Sequence, residues 1–220
     1  MKIKIFIFLI IISFSRCKEK KNTATIFVQN DSEIENNNTI IQNIVTKPVK
    51  TYKTEIAYLK KYSKENGYNQ EVSFMIDYSV HSGKNRFFIV DLKNDSIKNR
   101  ALVCHGSCNG DNINNKDFAD KFSNVSESLC STLGMAVISE RDYSSWGNNY
   151  KYWIDGLEKS NENMRKRVVV LHAWEGVPDE EIYPNTLAMS WGCPTVSLDF
   201  LDILDTILKE NEKVLLYSFK

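Results

Sequence analysis

The chain has 220 residues, enough for one sizeable hydrophobic core and short for two. Its 42% hydrophobic and 25% charged residues are ordinary for a soluble globular domain. Its net charge of zero supplies no basic field, which argues against nucleic acid as a partner.

The chain opens with Lys2 and Lys4, then an apolar run from Ile5 to Ile12. That run is far shorter than the roughly 20 residues a membrane-spanning helix needs, and it suits the apolar region of a signal peptide over 1–16. Cys17 follows directly, with the polar Lys18-Glu19-Lys20-Lys21 behind it. The pattern resembles the lipobox of bacterial lipoproteins, in which the cysteine carries lipid and becomes the first mature residue. Phe14 and Arg16 stand where leucine and a small residue are usual, so plain secretion is the alternative. Removing 1–16 takes away Lys2, Lys4 and Arg16 but no acidic residue, which leaves a mildly acidic mature chain. Residues 17–50 are polar and poor in aromatics, with Asn36-Asn37-Asn38, and read as a solvated tether.

An ordered domain is expected over 51–220. Tyr52, Ile56, Leu59 and Tyr62 recur every three or four residues, which predicts an amphipathic helix that Gly67 can end. Short apolar segments rich in β-branched and aromatic residues then predict strands at 72–78, 86–92, 100–106, 134–140, 150–158 and 167–174. Asn94-Asp95 marks a turn that makes 86–106 a hairpin. The polar, turn-rich stretch between Gly106 and Cys130 is long enough to border a cleft. Ser197 is placed to cap a second helix with Phe200, Leu201, Leu204, Ile207 and Leu208 on one face, and KVLLYSF closes the chain as a strand. The fold class expected is mainly β (α+β), of sandwich or barrel character, with a leading helix and a helix after Cys193.

The stretch SWGCPTVS, 190–197, sets a thiol on a constrained turn. A thiol titrates near ~8.5 and attacks as the thiolate, so a catalytic cysteine needs a basic or positive neighbour. The chain offers His81, His105 and His172. His81 falls in a turn between strands and reads as an exposed loop residue. His105 ends the ALVCH segment. His172 ends the most apolar strand, VVVLH, where a rigid scaffold presents a side chain at a cleft rim. Gly192 permits close backbone approach and Pro194 fixes the exit of the turn, so the Gly192 and Cys193 amides could face a developing oxyanion. A buried structural cysteine in a tight turn is the competing reading.

His172, a spacer of seventeen residues, then Ser190-Trp191-Gly192-Cys193 resembles the active-site signature of the murein L,D-transpeptidase (YkuD-like) catalytic domain family. The likeness runs in order through RFFIVDLKNDSI, the segment ending His105-Gly106, the 122–134 stretch and YWIDGLEKSNENMRKRVVVLHAW, and covers nearly all of 51–219. It implies the L,D-transpeptidase fold, an envelope location and peptidoglycan stem peptides as partners. Cys193 is implied as nucleophile, His172 as base and then acid, and Ser190 as the group orienting the imidazole or the turn. The Gly192 and Cys193 amides are implied as the oxyanion site, with Trp191, His105 and Gly106 lining the substrate groove. Many members have histidine where Trp191 stands and glycine where Ala173 stands, so Trp191 is expected to shape or floor the pocket. Two rivals share the residues: an L,D-carboxypeptidase or endopeptidase on the same cysteine, and a non-catalytic wall-binding lipoprotein.

Cys104, Cys108 and Cys130 remain. Their spacing is poor for a metal knuckle, and a disulfide between two of them suits an exported protein, with the pair left open. No cofactor motif is present and no metal is expected. A monomer, attached to the membrane through lipid on Cys17, completes the expectation.

Overall fold

A computed structural model describes residues 50–110 and 113–220. The signal peptide at 1–16, the lipid on Cys17 and the tether up to residue 49 lie outside the described residues. Residues Thr51–Lys220 form one compact unit.

Helix α1 (Lys53–Asn66) buries Ile56, Leu59 and Ser63 and ends on Gly67, whose φ of 71° lets its N–H reach back to the Ser63 carbonyl. The strands are β1 (Val72–Asp77), β2 (Phe87–Asp91), β3 (Ser96–Ala101), β4 (Gly134–Tyr143), β5 (Tyr150–Gly156), β6 (Val170–Ala173), β7 (Thr195–Val196) and β8 (Leu215–Phe219). Helix α2 (Leu198–Glu210) follows β7 and is capped by Ser197 Oγ, which accepts the Phe200 N–H. The strands make a single eight-stranded sheet in the order β3-β2-β1-β8-β4-β5-β6-β7. All neighbours are antiparallel except β1 with β8 and β6 with β7. Just past β3, Cys104 bridges Thr195 of β7, so the two ends of the sheet meet and the barrel nearly closes.

Side-chain alternation explains the apolar runs in the sequence. Phe74 and Ile76 of β1 and Phe87 and Ile89 of β2 point into the interior, where they meet Phe200, Leu201 and Leu204 of α2. The intervening Met75, Phe88 and Val90 point outward and are covered by Tyr52, Ile56 and Leu59 from the α1 region. These strands are buried on both faces, so they read as unbroken hydrophobic segments.

Two expected strands are cut short. Of the segment expected at 100–106, only Arg100 and Ala101 lie in β3, and Cys104 and Gly106 make single bridges to Thr195 and Ser190. The segment expected at 167–174 pairs only from Val170, because Val168 takes a left-handed φ of 57° that interrupts extended backbone. The turn-rich stretch after Gly106 is fastened by a Cys108–Cys130 disulfide and by the buried side chain of Asn114. Asn114 Nδ2 donates to the Gly106 and Lys121 carbonyls, and its Oδ1 accepts the Asp120 and Lys121 N–H groups.

Closing a loop with a sequence separation of 22 restricts the unfolded chain by roughly 3 kcal/mol. Replacing both Cys108 and Cys130 with serine should lower unfolding stability by about that amount, read from urea midpoints against the oxidised protein.

Candidate functional site

The turn at 190–195 exists because both its ends are pinned to one short segment. The Ser190 N–H donates to the His105 carbonyl at 2.8 Å, and the Ser107 N–H donates to the Ser190 carbonyl at 2.8 Å. At the other end the Cys104 N–H donates to the Thr195 carbonyl at 2.9 Å. The stretch 190–195 must therefore follow the much shorter segment 104–106, and the surplus residues 191–194 form a turn in which Trp191 is exposed, Cys193 half-buried, and Gly192 and Pro194 buried. Within the turn, Ser190 Oγ donates to the Cys193 carbonyl at 2.7 Å and accepts the Gly192 N–H at 3.2 Å. Ser190 thus fixes the turn. Gly192 sits at φ 106°, and a Cβ there would come within 2.8 Å of the Cys130 carbonyl oxygen, so only glycine fits without strain.

Cys193, at the apex, is half-buried, and it is one of two free cysteines among the described residues. The other, Cys104, is buried, and desolvation pushes its thiol up to about 12, which makes it a poor nucleophile. Cys193 Sγ accepts the Val170 N–H at 3.5 Å and faces the Val168 carbonyl at 3.6 Å. Burial raises its pKa, while the Val170 amide and the Arg167 charge pull it back down. Among the described residues the Cys193 N–H has no hydrogen-bond partner.

His172 lies in β6 in register with Thr195 of β7. Its Nδ1 is 3.1 Å from the Ala173 carbonyl, which can only accept, so Nδ1 carries the proton. Nε2 therefore presents a lone pair, and Thr195 Oγ1 donates to it at 3.1 Å. Thr195 Oγ1 also faces the Cys193 carbonyl at 3.3 Å. Burial lowers the His172 pKa below its ordinary 6.5. Burial thus favours the thiol and the neutral imidazole, and Thr195 Oγ1 links the ring to the backbone carbonyl of Cys193. No hydrogen bond runs from the ring to Sγ, because each group is engaged elsewhere. Such contacts are often long before substrate binds.

Several sequence expectations are corrected. The Gly192 N–H is committed to Ser190 Oγ, which leaves the Cys193 N–H as the free amide of the turn. His105 is 1% exposed and cannot line a groove: Arg86 Nη2 donates to its Nδ1, and its Nε2–H donates to the Asn115 carbonyl. Desolvation and the Arg86 charge push its pKa down to about 4, so it is neutral. Gly106 is enclosed as well, since a Cβ there would lie 2.3 Å from the Leu129 carbonyl oxygen. Its role is to let residues 129–131 pack close. Trp191 is 77% exposed and stands at the rim of the site, not on its floor. His81 is enclosed between the rings of Phe118 and Tyr183, against the expectation of an exposed loop residue. The disulfide pair that the sequence left open is Cys108 with Cys130.

Sequence reasoning missed Thr195, Arg86 and Arg167. Arg86 is fully buried and donates to the Val103 and Val80 carbonyls as well as to His105. Arg167 Nη1 donates to the Ser123 carbonyl and Nη2 to Ser128 Oγ and the Cys130 carbonyl, which places the guanidinium beside the Gly192 turn. A cationic side chain immediately before an apolar strand was the available signal for Arg167.

A nearly closed β barrel holding a free thiol on a pinned turn, with a strand-borne imidazole that the Thr195 hydroxyl links to the backbone of that turn, has the parts of a thiol acyl-transfer site. Residues 43–217 match the L,D-transpeptidase catalytic domain, and the chain belongs to that family. No curated protein matches the chain. Among solved structures, Bd1075 of Bdellovibrio bacteriovorus is 14% identical with a TM-score of 0.43, covering 70% of this chain and 49% of that one. The helical cell shape determining protein Pgp2 of Campylobacter jejuni (K307A mutant) is 8% identical with a TM-score of 0.42, covering 75% and 54%. An L,D-transpeptidase of Xylanimonas cellulosilytica (residues 123–326) is 11% identical with a TM-score of 0.37, covering 72% and 68%. This chain spans about half the length of the first two. No helix among the described residues is long and apolar enough to cross a membrane.

Replacing Gly192 with alanine should cost roughly 1–3 kcal/mol for the dihedral angle alone, with the Cys130 contact adding to it. Urea unfolding of the variant checks this.

Proposed function

We propose that the chain is a cysteine-dependent peptidoglycan L,D-transpeptidase of the cell envelope, with Cys193 as nucleophile. The observation that carries the proposal is Cys193 itself: a half-buried free thiol on a turn that requires glycine, in a chain that belongs to this family. The donor is a tetrapeptide stem whose third residue is meso-diaminopimelate or similar. As Sγ attacks that residue's carbonyl, the thiol proton passes to His172 Nε2. For this, the Thr195 hydroxyl turns from Nε2 to the Cys193 carbonyl, which it already faces. The Cys193 N–H meets the developing oxyanion. The C–N bond then breaks, His172 returns the proton to the departing D-alanine amine, and a thioester remains. A second stem's side-chain amine attacks the thioester, passes its proton to His172, and the thiolate leaves. A lipid on Cys17, after removal of 1–16, would hold the domain at the membrane by way of the 17–50 tether.

Incubation with tetrapeptide muropeptides and mass analysis tests this reading. Crosslinked dimers are expected; tripeptides alone would make the enzyme a carboxypeptidase, and unchanged substrate would overturn the assignment. Cys193→Ser should abolish turnover with the fold intact. His172→Ala should cost about 10²–10⁴ in kcat. Thr195→Val should cost on the order of tenfold, the worth of one hydrogen bond that sets the ring.

The pH profile has a definite sign. The competent resting form needs neutral His172, so activity rises with pH through a midpoint below 6.5, since burial lowers that group. The thiol is raised by burial, so the alkaline limb falls above the ordinary thiol range. The plateau in kcat/KM should therefore be wider than for an unperturbed pair. An acid midpoint at or above 6.5 would contradict the lowering of His172 by burial.

A further inference from the structure

Arg167 has no part in the proton path above, yet it occupies an unusual position. Its guanidinium is held only by neutral acceptors: the Ser123 carbonyl at 2.7 Å, Ser128 Oγ at 3.1 Å and the Cys130 carbonyl at 2.7 Å. Among the described residues no carboxylate pairs with it, and its buried Nε has no hydrogen-bond partner at all. A Cβ on Gly192 would lie 3.5 Å from Nη2, so the charge borders the turn that carries the nucleophile. The next residue, Val168, takes a left-handed φ of 57°, rare for a β-branched side chain, and its carbonyl faces Cys193 Sγ.

A partly buried guanidinium without an anion is costly, and the penalty is relieved when a negative charge forms beside it. Both Nη2 hydrogens are committed to Ser128 and Cys130, so that end of the fork is closed to a bidentate substrate carboxylate. What Arg167 offers is its field. We propose that Arg167 is the fixed positive charge that stabilises the Cys193 thiolate, a positioning residue that acts through the sulfur. The inference rests on the reading of Cys193 as nucleophile. It accounts for a charge held in place without a counter-ion and for the strained Val168 that aims both neighbours at one point. The mutual influence agrees: burial raises the thiol and lowers the guanidinium, and each charge partly offsets that effect on the other.

The test follows alkylation of Cys193 in the full chain against pH, with the modified peptide quantified by mass spectrometry. With iodoacetamide, Arg167→Gln should move the rate curve to higher pH and slow the reaction about tenfold at pH 7, the effect of one pKa unit. Arg167→Lys should restore most of the rate, which loss of packing alone would not predict. A second measurement needs no variant. On the native protein, the rate with anionic iodoacetate relative to neutral iodoacetamide should exceed the same ratio for Cys193 in the urea-unfolded chain. An unchanged pH curve in Arg167→Gln, or equal ratios in folded and unfolded protein, would overturn the proposal. Should Arg167→Gln fail to fold, the native ratio decides. Muropeptide turnover by native protein with an unchanged Arg167→Gln curve removes the charge assignment alone. A shifted curve without native turnover leaves that assignment standing and removes the transpeptidase reading.

Discussion

The site depends on a mismatch of length. Ser190 and Thr195 are fastened by backbone hydrogen bonds to the segment 104–107, and the chain between them is longer than the stretch it must follow. A flat strand would hide every second side chain in the interior. The surplus residues place Cys193, half-buried, in a turn whose flanks are fixed by the two single bridges that bring the ends of the barrel together. Orientation of the thiol is therefore set by backbone geometry at both ends, and Ser190 Oγ, bridging the Gly192 amide and the Cys193 carbonyl, removes the freedom that remains. A side chain held this way loses little entropy on reaching a target.

The same fold favours the uncharged forms of the thiol and the imidazole. Both are pushed toward their neutral forms by burial, His172 downward and Cys193 upward. Burial thus opposes a preformed thiolate–imidazolium pair. Thr195 is the physical link: one hydroxyl with an acceptor on each side, the imidazole and the Cys193 carbonyl. A rotation about a single bond exchanges them, a far smaller change than moving a strand.

Local periodicity made much of this legible. The apolar spacing of Ile56 and Leu59 marked α1, Ser197 marked the start of α2, and the runs at 72–78 and 86–92 marked strands. The glycine and proline around Cys193 announced the constrained turn. What the sequence hid depends on partners far apart along the chain. His105 looked like a groove residue because nothing nearby showed that Arg86 would meet its ring from the neighbouring strand. Thr195 looked like an ordinary β-branched strand residue, and only the parallel register of β6 and β7 places it on Nε2. The choice of Cys108 and Cys130 over Cys104 follows from Cys104 pairing with Thr195, which holds it under the turn and away from the loop.

The described part of that loop shapes the surroundings of Cys193. The disulfide, the hydrogen bond from the Gly106 N–H to Ser131 Oγ and that from the Cys108 N–H to the Leu129 carbonyl hold residues 129–131 against Gly106, where only glycine leaves room. The Cys130 carbonyl then points at two things at once: it accepts from Arg167 Nη2, and it occupies the space a side chain at 192 would need. One peptide group thus places the charge beside the turn and fixes the residue type that the turn must carry. A covalent link at Cys130 makes that placement insensitive to fluctuations of an otherwise irregular segment, since closing the loop removes the states in which the carbonyl swings away. Residues 129–131, at the end of the polar stretch after Gly106, are in this sense a wall of the turn that carries Cys193.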